Sequence, residues 1–232
     1  YKNGDVNISC YHGSVHGHED LNHSFAKSCN SSFANIGMSL DRNEYGKTLD
    51  KLMFNQKLPI ELNYSISKLT VSDETTDAQM GQISIGQGPV GITPLQLNLI
   101  TNGVANGGNV MKPYLVDYVL DAHGNKLKEN EPEVYRQIMS EDEAAELTLL
   151  MKEGVEYGTG KRLQSDFYQA AGKTGSAEFG GGEADSHAWF TGFASADDPQ
   201  ISVTIIVESI GSGGEYAVPI AKRIIDAYFG VY

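Results

Sequence analysis

The sequence predicts an α+β fold built on an antiparallel sheet. Three observations carry that expectation. Helix-period apolar spacing runs through the N-terminal part, β-branched and aromatic runs fill the last third, and an amphipathic stretch ends the chain. Helices first, adjacent strands next and a closing helix last is an α+β order, not the alternation of a parallel-sheet protein.

The elements follow in order. Leu21, Phe25, Phe33, Ile36 and Leu40 form an apolar stripe at helical spacing, broken at Ser28-Cys29-Asn30 by small polar residues. Asn43 to Phe54 reads as a further short helix, and Ile60 to Asp77 as polar loop. Thr93-Pro94 opens a helix with a hydroxyl cap and a proline in the first turn. Leu95, Leu99 and Ile100 are its expected buried side, and Asn106-Gly107-Gly108 ends it. Tyr114 to Asp121, followed by His123-Gly124-Asn125, reads as half of a hairpin. Ser140 with Glu143 is a capping box that opens a helix through Leu147, Leu150 and Met151. Strands are expected at Tyr168 to Phe179, His187 to Ala194 and Ile201 to Val207, and a last helix at Ala217 to Tyr228.

Composition narrows the function classes. Of 232 residues, 40% are hydrophobic and 20% charged, which suits a folded globular protein. A formal net charge of −13 argues against a nucleic-acid binder, whose affinity rests on cations meeting phosphates. No apolar run approaches the roughly 20 residues of a membrane helix. Tyr1-Lys2-Asn3-Gly4-Asp5 reads as an interior stretch, so a longer parent chain is expected.

Cys10 and Cys29 leave both one bridge and two free thiols open. Cys10, His12, His16, His18 and His23 crowd into one stretch and invite a metal reading. Zinc ligands usually come in tighter, repeated pairs, and no second pair follows, so the expectation is a polar loop and no metal.

Two short patterns bear on chemistry: Ser28-Cys29-Asn30 at a helix break, and Lys173-Thr174-Gly175-Ser176 inside an expected strand. Alone, the first is an ordinary helix cap and the second an ordinary strand end. With their surroundings they are specific. Gly86-Gln87-Gly88 leads to Thr93-Pro94-Leu95-Gln96, Ala171-Gly172 precedes Lys173, and His187-Ala188-Trp189-Phe190-Thr191-Gly192-Phe193 and Pro219 follow in order. This series resembles the transpeptidase domain of class B penicillin-binding proteins, serine enzymes that cross-link peptidoglycan and are acylated by β-lactams.

The resemblance implies part of the penicillin-binding/serine β-lactamase-like transpeptidase fold, with flanking helices and a helical lobe. Residues 1–232 would be the C-terminal part of one such domain, about 1–110 the helical lobe and about 111–232 the sheet lobe with its last helix. It implies roles as well. Lys173 places a positive charge in the cleft, and Gly175 lets substrate backbone approach the strand. The hydroxyls of Thr174 and Ser176 donate to a ligand carboxylate, and the Ser176 N–H forms half of an oxyanion hole. Ser28 relays a proton to the leaving nitrogen, and Asn30 binds the peptide carbonyl. Trp189, Phe190 and Phe193 read as core, Glu178 and His187 as turn-shaping, and Gln87 as structural.

The family's Ser-x-x-Lys motif, which carries the acylated serine, is expected upstream of Ser28. Ser24-Phe25-Ala26-Lys27 and Ser65-Ile66-Ser67-Lys68 match by letters only. Ser24 shares the helix that should present Ser28, and Ser65 reverses the family order. The expectation is therefore a D,D-transpeptidase portion without its nucleophile, inactive alone, from a parent anchored by one N-terminal helix and facing outside the cytoplasmic membrane. Peptidoglycan stem peptides and β-lactams are the implied ligands, with no cofactor. Exposed sheet edges lead to an expectation of pairing with a complementary N-terminal segment or a second copy. A non-catalytic pseudo-enzyme or β-lactam sensor, and a carboxypeptidase or β-lactamase, are the alternatives.

Overall fold

The computed structural model describes residues 1–4, 6–179 and 186–231. A two-residue ladder of β1 (Lys2–Asn3) and β2 (Val6–Asn7) comes first. The helices α1 (Leu21–Ala26) and α2 (Asn30–Ser39) follow, then α3 (Arg42–Lys51), α4 (Asp77–Ile83) and α5 (Pro94–Ala105). Strand β3 (Asn109–Met111), the hairpin β4 (Tyr118–Leu120) and β5 (Lys126–Glu129), and β6 (Val134–Gln137) lead into α6 (Glu141–Glu156). The chain ends with β7 (Ala170–Glu178), β8 (Ser186–Ala194), β9 (Ile201–Val207) and α7 (Gly213–Phe229).

Strands β7, β8 and β9 form one antiparallel sheet in that order, so the outer edge of β7 carries no strand partner among the described residues. Alternation along β8 sends Ala188, Phe190 and Ala194 to one face, where Ala217, Val218, Ala221 and Ile225 of α7 cover them. Phe193 points to the other face, against Ala171, Val104 of α5 and Met151 of α6. The sheet is thus sandwiched between α7 and the α5–α6 pair. A hydroxyl ladder ties α5 to this second face: Thr101 Oγ1 lies 2.6 Å from Thr191 Oγ1, which lies 2.7 Å from Thr204 Oγ1.

The capping signals act as the sequence leads one to expect. Thr93 Oγ1 accepts from the Gln96 N–H at 3.2 Å, and Ser140 and Glu143 form a reciprocal capping box. Elsewhere the structure corrects the sequence reading. Helix α4, which the sequence reading did not assign, follows the expected loop and meets it at Asp77, nucleated by a second capping box between Thr76 and Gln79. The stripe in α1 and α2 is largely exposed at Leu21, Ile36 and Leu40. Small residues form the packed side instead, because they let backbones approach: a Cβ on Gly37 would lie 1.8 Å from Ser84 Oγ. In α5, Leu95 and Ile100 are only partly buried, whereas Gln96 is fully buried and donates to the Leu52 carbonyl at 2.9 Å. Phe190 and Phe193 are fully buried as expected, but Trp189 is only partly so. His187 accepts from the Ser209 N–H at 3.2 Å and stacks on Phe179 at 4.4 Å.

Among the described residues no helix is long and apolar enough to cross a membrane.

Candidate active site

Helices α1 and α2 are separated by a sharp turn at Ser28, whose φ of +57° is the left-handed conformation non-glycine residues seldom adopt. This turn aims the Ser28 side chain at β7. Lys173, in the middle of β7, donates from Nζ to Ser28 Oγ at 2.8 Å and to the Thr174 carbonyl at 3.0 Å. The two motifs, far apart in sequence, therefore meet in one contact. The Lys173 ammonium also sits 5.7 Å from the Phe25 ring of α1. Burial disfavours its charge and pushes its pKa down to about 8.

Because Lys173 donates to Ser28 Oγ, the Ser28 hydroxyl keeps its own proton available for donation elsewhere. That is the arrangement a proton relay needs. Asn30, at the first turn of α2, donates from Nδ2 to the Ser9 carbonyl at 3.1 Å. The contact fixes the amide beside the same turn.

Lys173 pairs with Thr191 in the ladder and shares its α5–α6 face, whereas Thr174 pairs with the inward-facing Phe190. The Thr174 side chain is accordingly nearly buried, and its hydroxyl is engaged by Thr159 Oγ1. Ser176, two residues on, accepts at Oγ from the Gly213 N–H at 3.3 Å, leaving its hydroxyl proton free to donate. Of the two expected carboxylate-binding hydroxyls, Ser176 is the more available. Gly175 pairs with Trp189, and a Cβ there would lie 3.3 Å from the Trp189 Cβ.

The loop Gly86-Gln87-Gly88 comes to this edge. Both glycines have positive φ, +74° and +69°, so the loop turns tightly and presents Gln87 outward. Gln87 Nε2 donates to the Ser176 carbonyl at 3.2 Å. In an antiparallel ladder the N–H and C=O of one residue point the same way, so the Ser176 N–H also faces the outer edge. Sequence reasoning took Gln87 as structural and did not identify Phe25 or Thr159. The only signal for Gln87 was its pair of flanking glycines.

Neither letter match to Ser-x-x-Lys has its hydroxyl in this cluster's recorded contacts. Ser24 is buried in α1 and donates to Ser32 Oγ at 2.9 Å, while Lys27 pairs with Glu19 at 2.6 Å. Ser65 is exposed on the loop before α4, and the Lys68 backbone bridges to Gly91.

The fold does bring together one donor set that spacing did not reveal. Cys10, His16 and Cys29 converge directly behind the Ser28 turn, with one ligand atom of each within 4.8 Å of the others.

Comparison with known proteins places these features in a family. Residues 1–226 match the family model described as penicillin binding protein transpeptidase domain. The chain is 33% identical over 214 residues to the peptidoglycan D,D-transpeptidase PbpA of Mycolicibacterium smegmatis, covering 89% of this chain and 43% of that protein. It is 28% identical over 228 residues to stage V sporulation protein D of Bacillus subtilis, covering 94% of this chain and 35% of that protein. Among solved structures, penicillin-binding protein A of M. tuberculosis, as its ceftriaxone acyl-enzyme complex, superposes with a TM-score of 0.87 at 28% identity, over 97% of this chain and 52% of that one. The chain thus spans less than half the length of the curated relatives it matches.

Proposed function

The chain belongs to the penicillin-binding protein transpeptidase family, and from that premise we propose that it forms the C-terminal part of a peptidoglycan D,D-transpeptidase domain. The observation that carries the reading is the 2.8 Å contact from Lys173 Nζ to Ser28 Oγ, which joins the second and third family motifs. The acylated serine and its lysine, in a Ser-x-x-Lys segment, come from chain outside these 232 residues. The parent acts outside the cytoplasmic membrane on peptidoglycan stem peptides and is acylated by β-lactams.

The residues present fit that division of labour. The external serine attacks the carbonyl carbon of the donor peptide, and the C–N bond to the terminal D-residue breaks. Ser28 passes a proton toward the departing nitrogen, with the Lys173 ammonium holding the Ser28 oxygen. The Ser176 N–H faces the position where negative charge grows on the carbonyl oxygen. A substrate strand lying along the open edge of β7 meets Gln87 on the Ser176 carbonyl and displaces it. An acceptor amine then attacks the ester carbonyl, the C–O bond to the serine breaks, and the serine oxygen takes up the proton that the amine gives up.

The test is a donor–acceptor assay on a chain extended upstream to include the Ser-x-x-Lys segment. A stem pentapeptide is supplied with an excess of an acceptor amine. Release of the terminal D-residue together with a new donor–acceptor amide is the expected result. Release with hydrolysis alone would move the assignment to a carboxypeptidase, and no release at all would move it to a pseudo-enzyme.

A further inference from the structure

Thr159 has no step in the chemistry above, yet it touches both halves of the site. It lies in the turn Gly158-Thr159-Gly160 that follows α6. Its backbone N–H donates to the Ala26 carbonyl of α1 at 3.0 Å, two residues before Ser28. Its hydroxyl pairs with Thr174 Oγ1, next to Lys173 on β7. Glycines permit this close approach. A Cβ on Gly158 would lie 2.3 Å from the Ala26 oxygen, and one on Gly214 of α7 would lie 2.7 Å from the Thr159 oxygen. The backbone of Thr159 is thus wedged between α1 and α7, while the residue as a whole stays exposed.

The hydroxyl pair has a simple proton count. Each hydroxyl carries one proton and two lone pairs. One proton lies between the two oxygens, and either residue can supply it. The other remains for a third group. When Thr159 donates, the free proton is that of Thr174, which shares its face of β7 with Ser176 two residues on. Two hydroxyl protons on one strand face suit a carboxylate, which only accepts hydrogen bonds. The terminal D-residue of a donor peptide carries such a group, as does a penicillin. Without Thr159 nothing in the pair holds the Thr174 hydroxyl in that rotamer. We propose that Thr159 is a positioning residue whose hydroxyl, by donating to Thr174 Oγ1, turns the Thr174 proton toward the ligand carboxylate. The inference rests on the transpeptidase reading and adds to it a residue outside the family motifs quoted above.

The test measures acylation by benzylpenicillin in the chain extended upstream through the Ser-x-x-Lys segment. Thr159→Val keeps the side-chain shape and the backbone tie to Ala26 but removes the hydroxyl. It should slow acylation by about 10–100-fold, the usual effect of a hydrogen bond that serves a charged group. In a Thr174→Val background the same substitution should change the rate by less than about threefold, because its effect passes through Thr174. Thr159→Ser, which restores the hydroxyl, should react like the parent. Equal slowing by Thr159→Val with and without the Thr174 hydroxyl would mean a general structural role and overturn the proposal. Should the Thr174→Val background fail to fold, the serine variant decides: Thr159→Ser as slow as Thr159→Val overturns it. An extended parent that is not acylated at all overturns the transpeptidase reading and this inference with it. A reactive parent that Thr159→Val leaves unchanged overturns this inference alone.

Discussion

Replacing Lys173 with alanine should slow β-lactam acylation by about 10²–10⁴-fold in a chain that carries the Ser-x-x-Lys serine. The substitution removes the donor to Ser28 Oγ and the buried cation of β7 at once. Rates measured by stopped flow with a fluorescent penicillin would show it, and a change of less than about threefold would remove Lys173 from the site. The same lysine predicts a pH signature. Burial lowers its folded pKa to about 8, against the ordinary value of 10.5. Between those values the unfolded chain binds the proton and the folded chain has released it, so stability rises with pH across this window. Below about 8 both states are charged and this contribution no longer changes. Lys173→Ala should abolish the rise, which denaturation midpoints taken from pH 7 to pH 10.5 would reveal.

Phe190→Ala should destabilise the fold by about 3–5 kcal/mol. The ring is fully buried at the centre of β8 and occupies the space that two glycines leave open. A Cβ on Gly172 would lie 2.5 Å from the ring, and one on Gly192 2.7 Å from it. Alanine at 190 cannot refill that volume, and neither glycine brings a side chain that could relax into it. Because Phe190 pairs with Thr174, the loss falls directly beneath the Lys173–Ser176 stretch of β7. Urea denaturation would measure the loss. Phe167→Ala, at a residue 74% exposed, should change stability by no more than about 0.5 kcal/mol.

How much of this was legible in the sequence depended on whether the cause was local. The three-stranded sheet and α7 could be read because β-branched and aromatic runs, or one apolar helical face, suffice to define them. Caps at Thr93 and Ser140 were readable because capping acts within three residues. The stripe of α1 and α2 announced the two helices and the break between them, but periodicity shows which residues share a face and not which face another element covers, and Leu21, Ile36 and Leu40 are exposed. Helix α4 was missed because its seven residues are too short for a periodic signal, although the Thr76–Gln79 box was there to be seen.

The site divides the same way. Ser28, Asn30 and Lys173 came from motif resemblance, and no spacing argument joins residues 145 apart. Gln87 reaches Ser176 across 89 positions, and its flanking glycines announce a turn but not the residue that the turn approaches. The sequence reading grouped Cys10 with His12, His16, His18 and His23, whereas the fold brings Cys10 and His16 to Cys29, 19 residues beyond Cys10.

The central claim is that these residues supply the second and third motifs of a penicillin-acylated site but not its nucleophile. Intact-mass spectrometry before and after excess benzylpenicillin tests it most directly, on the 232-residue chain and on a chain extended upstream through a Ser-x-x-Lys segment. The account predicts no mass change in the first and one added drug mass in the second. An adduct on the shorter chain, at Ser24 or Ser65, or none on either chain, would contradict it.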